Sequence, residues 1–233
     1  MPFTYDYPRP MVTVDAFLVR MRRNRLELLL IQRKKPPFQN RWALPGGYVG
    51  IDEPVEDAAC RELAEETGVS DIPLIQTGLA ADPHRDPRGR TLSVVFTGIV
   101  PCRHRLRLQG GDDARTARWF PLERLPPLAF DHHQLVQRQL ATLRFFALSR
   151  MWILEFFRPQ PLTIENLQRL QQILSLHAWP PPAWDHLLSQ LPFLEAKART
   201  YCWKVAHSMF TYPDEFWVTF WGKYLVPPSQ SFG

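Results

Sequence analysis

Cysteine is scarce in this chain: Cys60, Cys102 and Cys202 stand alone and far apart. An odd number at such spacing provides neither a disulfide framework nor a zinc site. Free, mostly buried thiols in a reducing compartment are the expectation. Lysine is missing from the whole middle of the chain, with none between Lys35 and Lys197. No apolar run approaches the roughly 18 residues that cross a membrane. The first ten residues carry Asp6 and three prolines, which is not the pattern of a signal peptide. Internal repeats and low-complexity tracts are also lacking. A cytoplasmic globular protein with no membrane partner is expected.

A hydrophobic fraction of 45% and a charged fraction of 22% permit a sizeable core. The 233 residues suit one domain of about 150 residues with an extension. The net charge of +5 is unevenly placed: residues 1–150 hold 22 Lys+Arg against 17 Asp+Glu, and residues 151–233 hold 6 against 6. A basic first part is compatible with anionic substrates and equally with a solvated surface. Six of the eight tryptophans fall in the neutral second part. The boundary is placed near Ser149, giving 1–149 and 150–233.

Met11–Val19 and Leu26–Gln32 read as a hairpin across the basic turn Arg20–Arg25. Trp42–Val49 contains a short strand broken by Pro45, Gly46 and Gly47. Pro54–Thr67 is helical in composition, with Gly68 at its end. Strands are expected at Leu74–Leu79, Leu92–Val100 and Arg115–Pro121, and a helix at Phe130–Ser149. Beyond it, helical patterns occupy Thr163–Leu174, Pro182–Gln190 and Phe193–Met209, and Pro213–Leu225 is helix or strand.

The informative segment is GGYVGIDEPVEDAACRELAEETGV, residues 46–69. At about 100° per residue, Glu62, Glu65 and Glu66 fall within an arc of about 100°. Small Ala58 and Ala59 lie a turn earlier, leaving room above the acids, while Cys60 and Ala64 face a core. Three carboxylates on one face repel, and divalent cations would offset that repulsion. An acidic surface stripe is the alternative for the triplet alone.

With its spacing, Gly47-x5-Glu53-x7-Arg61-Glu62-Leu63-x-Glu65-Glu66-x-Gly68-Val69 resembles the signature box of Nudix hydrolases at every defining position. The resemblance implies an α/β fold, an α/β/α sandwich around a mixed sheet, followed here by a mainly helical C-terminal extension. It implies Mg²⁺, with Mn²⁺ as a substitute, held by Glu62, Glu65, Glu66 and the Gly46 carbonyl. Arg61 and Glu53 would brace the loop against the helix. The general base has no clean counterpart: Asp112, Asp113, Glu53 and Glu66 are the candidates. The segments 32–47, 82–100 and 112–135 resemble the ADP-ribose pyrophosphatase branch and its regulatory relatives.

That branch implies hydrolysis of a nucleoside diphosphate derivative, ADP-ribose, to AMP and ribose 5-phosphate. Arg33, Arg41 and Arg90 are the candidates for the diphosphate, and Phe38 for stacking on adenine. His84, His132 and His133 are read as loop or surface residues. A homodimer is expected by analogy alone. The competing class is an ADP-ribose-sensing transcriptional regulator with a C-terminal DNA-binding region. The neutrality of residues 151–233 argues against a nucleic-acid partner. The extension is read as a helical annex packed on the first domain, with a dimer interface, an active-site cap or a partner-binding surface as alternatives.

Overall fold

The computed structural model describes residues 5–101, 106, 108, 114–158, 160–176, 179–198 and 200–204. The expected segment 213–225, Cys102, Asp112, Asp113, Trp217 and Trp221 lie outside the described residues. By its contacts the chain divides into two compact units, Met1–Thr142 and Leu143–Gly233.

In the first unit, β1 (Met11–Arg22) and β2 (Arg25–Arg33) form the expected hairpin. Only their turn end is paired, Val19–Arg22 with Arg25–Leu28. Further along the two strands part, and the next segment enters the gap. β3 (Trp42–Ala43) pairs with Ile31 and Gln32 of β2. The residues that follow then bond to β1: Ala16 N donates to Pro45 O (2.8 Å), Val14 N to Gly47 O (2.9 Å) and Val49 N to Val12 O (3.1 Å). This wedge fixes the position of the candidate site. β1 also runs parallel to β5 (Thr91–Val100), which carries β4 (Ile75–Ala80) at the edge, while β6 (Ala114–Pro121) pairs with β2. The sheet is therefore mixed.

α1 (Val55–Thr67) ends at Gly68 in the left-handed region, φ 72°. It covers one face of the sheet: Leu63 packs with Ala16, Leu18, Leu29 and Ile31, and Ala58 and Ala59 with Val14 and Phe96. α2 (His132–Ser149) covers the other, where Gln139 Oε1 accepts from Thr77 (2.7 Å) and Thr97 (3.3 Å). The layers are helix, sheet, helix. α1 sits differently from expectation: Cys60 is exposed, and the buried face runs through Ala58, Ala59, Leu63, Glu66 and Thr67. The sheet reaches far enough to take in Glu66, so the alanines pack instead of opening a space.

The second unit has α3 (Ile164–Ile173), capped by Thr163 Oγ1 accepting from Asn166 N (3.2 Å), and α4 (Pro181–Gln190). Helix was expected from Phe193 to Met209; the described part is instead a hairpin, β7 (Leu194–Lys197) and β8 (Thr200–Trp203), and residues 205–209 lie outside the described set. A bridge between Leu162 and Tyr201 ties the hairpin to the strand-like residues before α3. Gln171 is fully buried and accepts from Trp184 Nε1 (2.9 Å) and Trp179 N (3.3 Å).

Candidate active site

The wedge between β1 and β2 needs glycine for space. A Cβ on Gly46 would clash with Val14 O and stand 3.0 Å from Asp15 Cα. One on Gly47 would stand 2.6 Å from Glu62 Oε2. The loop thus lies directly on β1 and on the acid face of α1, and Gly46 N donates to Glu66 Oε2 over 2.8 Å.

Arg61 organises the acids. Its Nε and Nη2 form a fork onto Glu53 Oε1 (2.7 Å) and Oε2 (2.9 Å), and Nη2 also reaches Tyr48 O (3.1 Å). Glu53 Oε2 accepts in addition from Gly50 N (3.0 Å). Chiefly through the Arg61 hydrogen bonds, Glu53 is lowered to about 2, and Arg61 is itself raised. Nη1 donates to Glu62 Oε1 (2.8 Å) and Glu65 Oε2 (3.3 Å). Burial pushes the Glu62 carboxyl up, against the opposing pull of Arg61.

Two of the three expected acids enter a cleft. Glu62 and the buried Glu66 line it together with Gly46, whereas the Glu65 side chain is 58% exposed. Among the described residues no group of three acidic, histidine or cysteine side chains converges as a ready metal cluster. Arg61 stands between Glu62 and Glu65 and supplies the positive charge that lets them sit close. Glu62, Glu66 and the Gly46 backbone carbonyl are hard oxygen donors lining one cleft, a set suited to a hard divalent cation.

The cleft measures about 230 Å³, and its lining also includes the cationic Arg33, Lys35, Arg85 and Arg88 and the aromatic Tyr48 and Phe130. The Arg88 guanidinium lies 5.3 Å from the Tyr48 ring centre and 5.5 Å from that of Phe130, and Arg33 lies 4.8 Å from Phe130. Arg88 also forms a fork onto Asp86, with Nη2 at 2.6 Å. Burial pushes Asp86 up, but the Arg88 hydrogen bonds outweigh it and hold the carboxyl low.

Part of the same lining is a buried polar cluster of Asp15, Arg85 and His132. Asp15 accepts from Ser93 Oγ (2.5 Å) and Arg85 Nη2 (3.4 Å), and Arg85 also binds both oxygens of Asp131. His132 was expected at the surface. It is 4% exposed, its Nδ1 accepts from Leu44 N (2.9 Å), and its Nε2 lies 3.5 Å from Asp15. The pairing of residues 127–129 along Trp42 places it there, with Ala129 N donating to Trp42 O (2.7 Å).

Of the arginines read from the sequence, Arg33 lines the cleft, and its Nε donates to Pro37 O (2.9 Å). Arg41 and Arg90 are exposed and outside the lining, Arg90 Nη1 donating to Ala81 O (2.7 Å). Phe38 lines a neighbouring groove. Sequence reasoning missed Asp15, Arg85, Arg88 and Phe130. Asp15 had left a signal, a lone charge inside the apolar run Val12–Val19, since a buried charge needs partners.

The family model of the NUDIX domain matches residues 9–139. An ADP-ribose pyrophosphatase of Methanocaldococcus jannaschii is 42% identical over 133 residues, covering 56% of this chain and 73% of that protein. The ADPR responsive transcriptional repressor NtrR of Acinetobacter baylyi is 33% identical over 181 residues, 74% of this chain and 69% of its own. Among solved structures, Shewanella oneidensis NrtR complexed with a 27mer DNA superimposes with a TM-score of 0.67 at 27% identity, covering 83% of this chain and 93% of that one.

Proposed function

The chain belongs to the NUDIX domain family, and from that premise we propose that it is a Mg²⁺-dependent pyrophosphohydrolase that splits ADP-ribose into AMP and ribose 5-phosphate. The observation that carries this reading is the makeup of the cleft, whose lining brings Glu62, Glu66 and Gly46 together with Arg33, Lys35 and Arg88. A diphosphate would suit this lining, met by a cation held at the acids and by the basic side chains. Glu62, Glu66 and the Gly46 carbonyl would hold Mg²⁺, with Glu65 joining from the rim. When bound, the cation neutralises the diphosphate and acidifies the attacking water.

The protein's own groups do the rest. Arg61 and Glu53 act as positioning residues: both Glu53 oxygens are engaged by Arg61 or Gly50, so Glu53 is a poor acceptor for a proton from water. Glu66 lines the cleft and Glu53 does not, which favours Glu66 as the base. Arg88, held by Asp86, lines the same cleft and would bind the phosphate.

Purified protein with Mg²⁺ should release AMP and ribose 5-phosphate from ADP-ribose. Absence of both products, or equal release by Glu66→Gln, overturns the reading.

A second reading is an ADP-ribose-responsive regulator. It is favoured by the likeness to NtrR over 74% of the chain and by the order α3, α4, hairpin. That likeness also weighs against the expectation of no nucleic-acid partner. Against it, α4 exposes Asp185, His186, Ser189 and Gln190 and contains no Lys or Arg, so it offers nothing to neutralise phosphates. A gel shift at low salt with the gene's own upstream region separates the two: competed binding that ADP-ribose releases establishes the regulator.

A further inference from the structure

Around the cleft, rings and cations alternate. The Arg88 guanidinium lies 5.3 Å from the Tyr48 ring centre and 5.5 Å from that of Phe130, and the Arg33 guanidinium lies 4.8 Å from the same Phe130 centre. All four residues line the cleft. They come from four separate places: the end of β2, the loop before α1, the loop between β4 and β5, and the turn before α2. We propose that Phe130 is a positioning residue for phosphate recognition, its ring holding Arg33 and Arg88 oriented before the substrate arrives. The proposal rests on the hydrolase reading in taking the diphosphate to lie in the cleft.

The first support is the backbone. Phe130 has φ 51°, in the left-handed region that bulky side chains rarely adopt and that costs energy to hold. Its neighbours impose it: Ala129 N donates to Trp42 O (2.7 Å), His132 N donates to Ala129 O (3.1 Å), and Asp131 receives Arg85 through both oxygens. The ring is only partly buried against the core, so packing leaves part of it for the two guanidinium groups.

The second support is the state of Arg88. Its Nε and Nη2 are occupied by Asp86, at 3.0 and 2.6 Å, and among the described residues its Nη1 makes no hydrogen bond. That end is left for a ligand. A freely rotating arginine would lose conformational entropy on binding; one held by Asp86, Tyr48 and Phe130 has already lost it. A ring suits this task better than a second carboxylate. It attracts the cation through its face without neutralising it, and it takes none of the N–H groups that phosphate oxygens need.

The test uses the full chain with ADP-ribose as the probe, bound in EDTA and followed by calorimetry so that no Mg²⁺-dependent cleavage interferes, alongside steady-state kinetics with Mg²⁺. Phe130→Leu keeps apolar bulk and removes the aromatic face, whereas Phe130→Tyr keeps the face. Phe130→Leu should weaken ADP-ribose binding about tenfold and raise KM to match, with little change in kcat. Phe130→Tyr should restore most of the affinity. In an Arg88→Met background, where only Arg33 remains for the ring to hold, Phe130→Leu should weaken binding by a clearly smaller factor. The inference is overturned if the wild-type protein does not bind ADP-ribose in EDTA, if Phe130→Leu leaves binding and KM unchanged, if Phe130→Tyr binds no better than Phe130→Leu, or if the two substitutions simply add. Binding that depends on Phe130 in this way, without ADP-ribose hydrolysis, would sink the hydrolase reading and keep the positioning role.

Discussion

Gly47 faces the carboxylate of Glu62 so closely that a side chain at 47 and the present Glu62 rotamer exclude each other, with a Cβ 2.6 Å from Oε2. Gly47→Ala should therefore turn Glu62 out of the cleft. The expected outcome is an increase of about tenfold or more in the Mg²⁺ concentration giving half-maximal hydrolysis. The melting curve should move little, because a flexible side chain gives way and the backbone does not. An unchanged Mg²⁺ titration would remove Glu62 from the proposed metal site.

Arg61 provides a sharper test of the bracing role. Its fork onto Glu53 depends on the planar guanidinium, which an ammonium cannot reproduce. Arg61→Lys should lower kcat by about 10–100-fold with KM for ADP-ribose little altered, since Arg61 is not part of the cleft lining. A large rise in KM with normal kcat would instead make Arg61 a substrate contact.

Much of this site was legible because it is local. Glu62, Glu65 and Glu66 are neighbours on one helix, which spacing groups, while Gly46, Gly47 and Glu53 in the loop before it were reached through the resemblance to the Nudix box. Asp15, Arg85 and His132 meet only through tertiary structure: Asp15 pairs with Val95 in the parallel ladder, and His132 arrives along Trp42. No spacing encodes that meeting. The rotation of α1 was misread for a related reason, since the sheet and not the helix decides which face is buried. The β7–β8 hairpin escaped because its turn holds Ala198 at φ 54°. Glycine or asparagine there would have signalled a turn, and alanine signals helix.

His132 carries a pH signature. Burial lowers its imidazole, with Arg85 and Arg33 adding to the effect and Asp15 and Asp131 opposing it. Its Nδ1 accepts from Leu44 N, which requires the neutral ring. In the unfolded chain the group titrates near 6.5. Below about that pH the unfolded chain takes up a proton that the folded chain refuses, so stability falls as pH falls; above it both states are neutral and the contribution is flat. His132→Leu should lose about 1–3 kcal/mol at pH 8 by orphaning Leu44 N and show a shallower decline between pH 7 and 5. Urea midpoints at several pH values measure both, and parallel declines in the two proteins would refute the assignment.

Gln171 separates stability from chemistry. Its Oε1 receives the buried Trp184 Nε1–H and the Trp179 amide. Gln171→Leu keeps most of the volume and strands both donors, one of them in the core of the second unit. Leaving a buried donor unsatisfied costs about 1–3 kcal/mol, read as a lower urea midpoint. Every residue lining the proposed cleft lies between Thr13 and His132, within the first unit. Hydrolysis of ADP-ribose by Gln171→Leu at low temperature, where both units stay folded, should therefore keep the wild-type kcat and KM. A drop in kcat under those conditions would mean that the second unit takes part in catalysis, and the chemistry could no longer be assigned to Glu62, Glu66 and the arginines of the first unit alone.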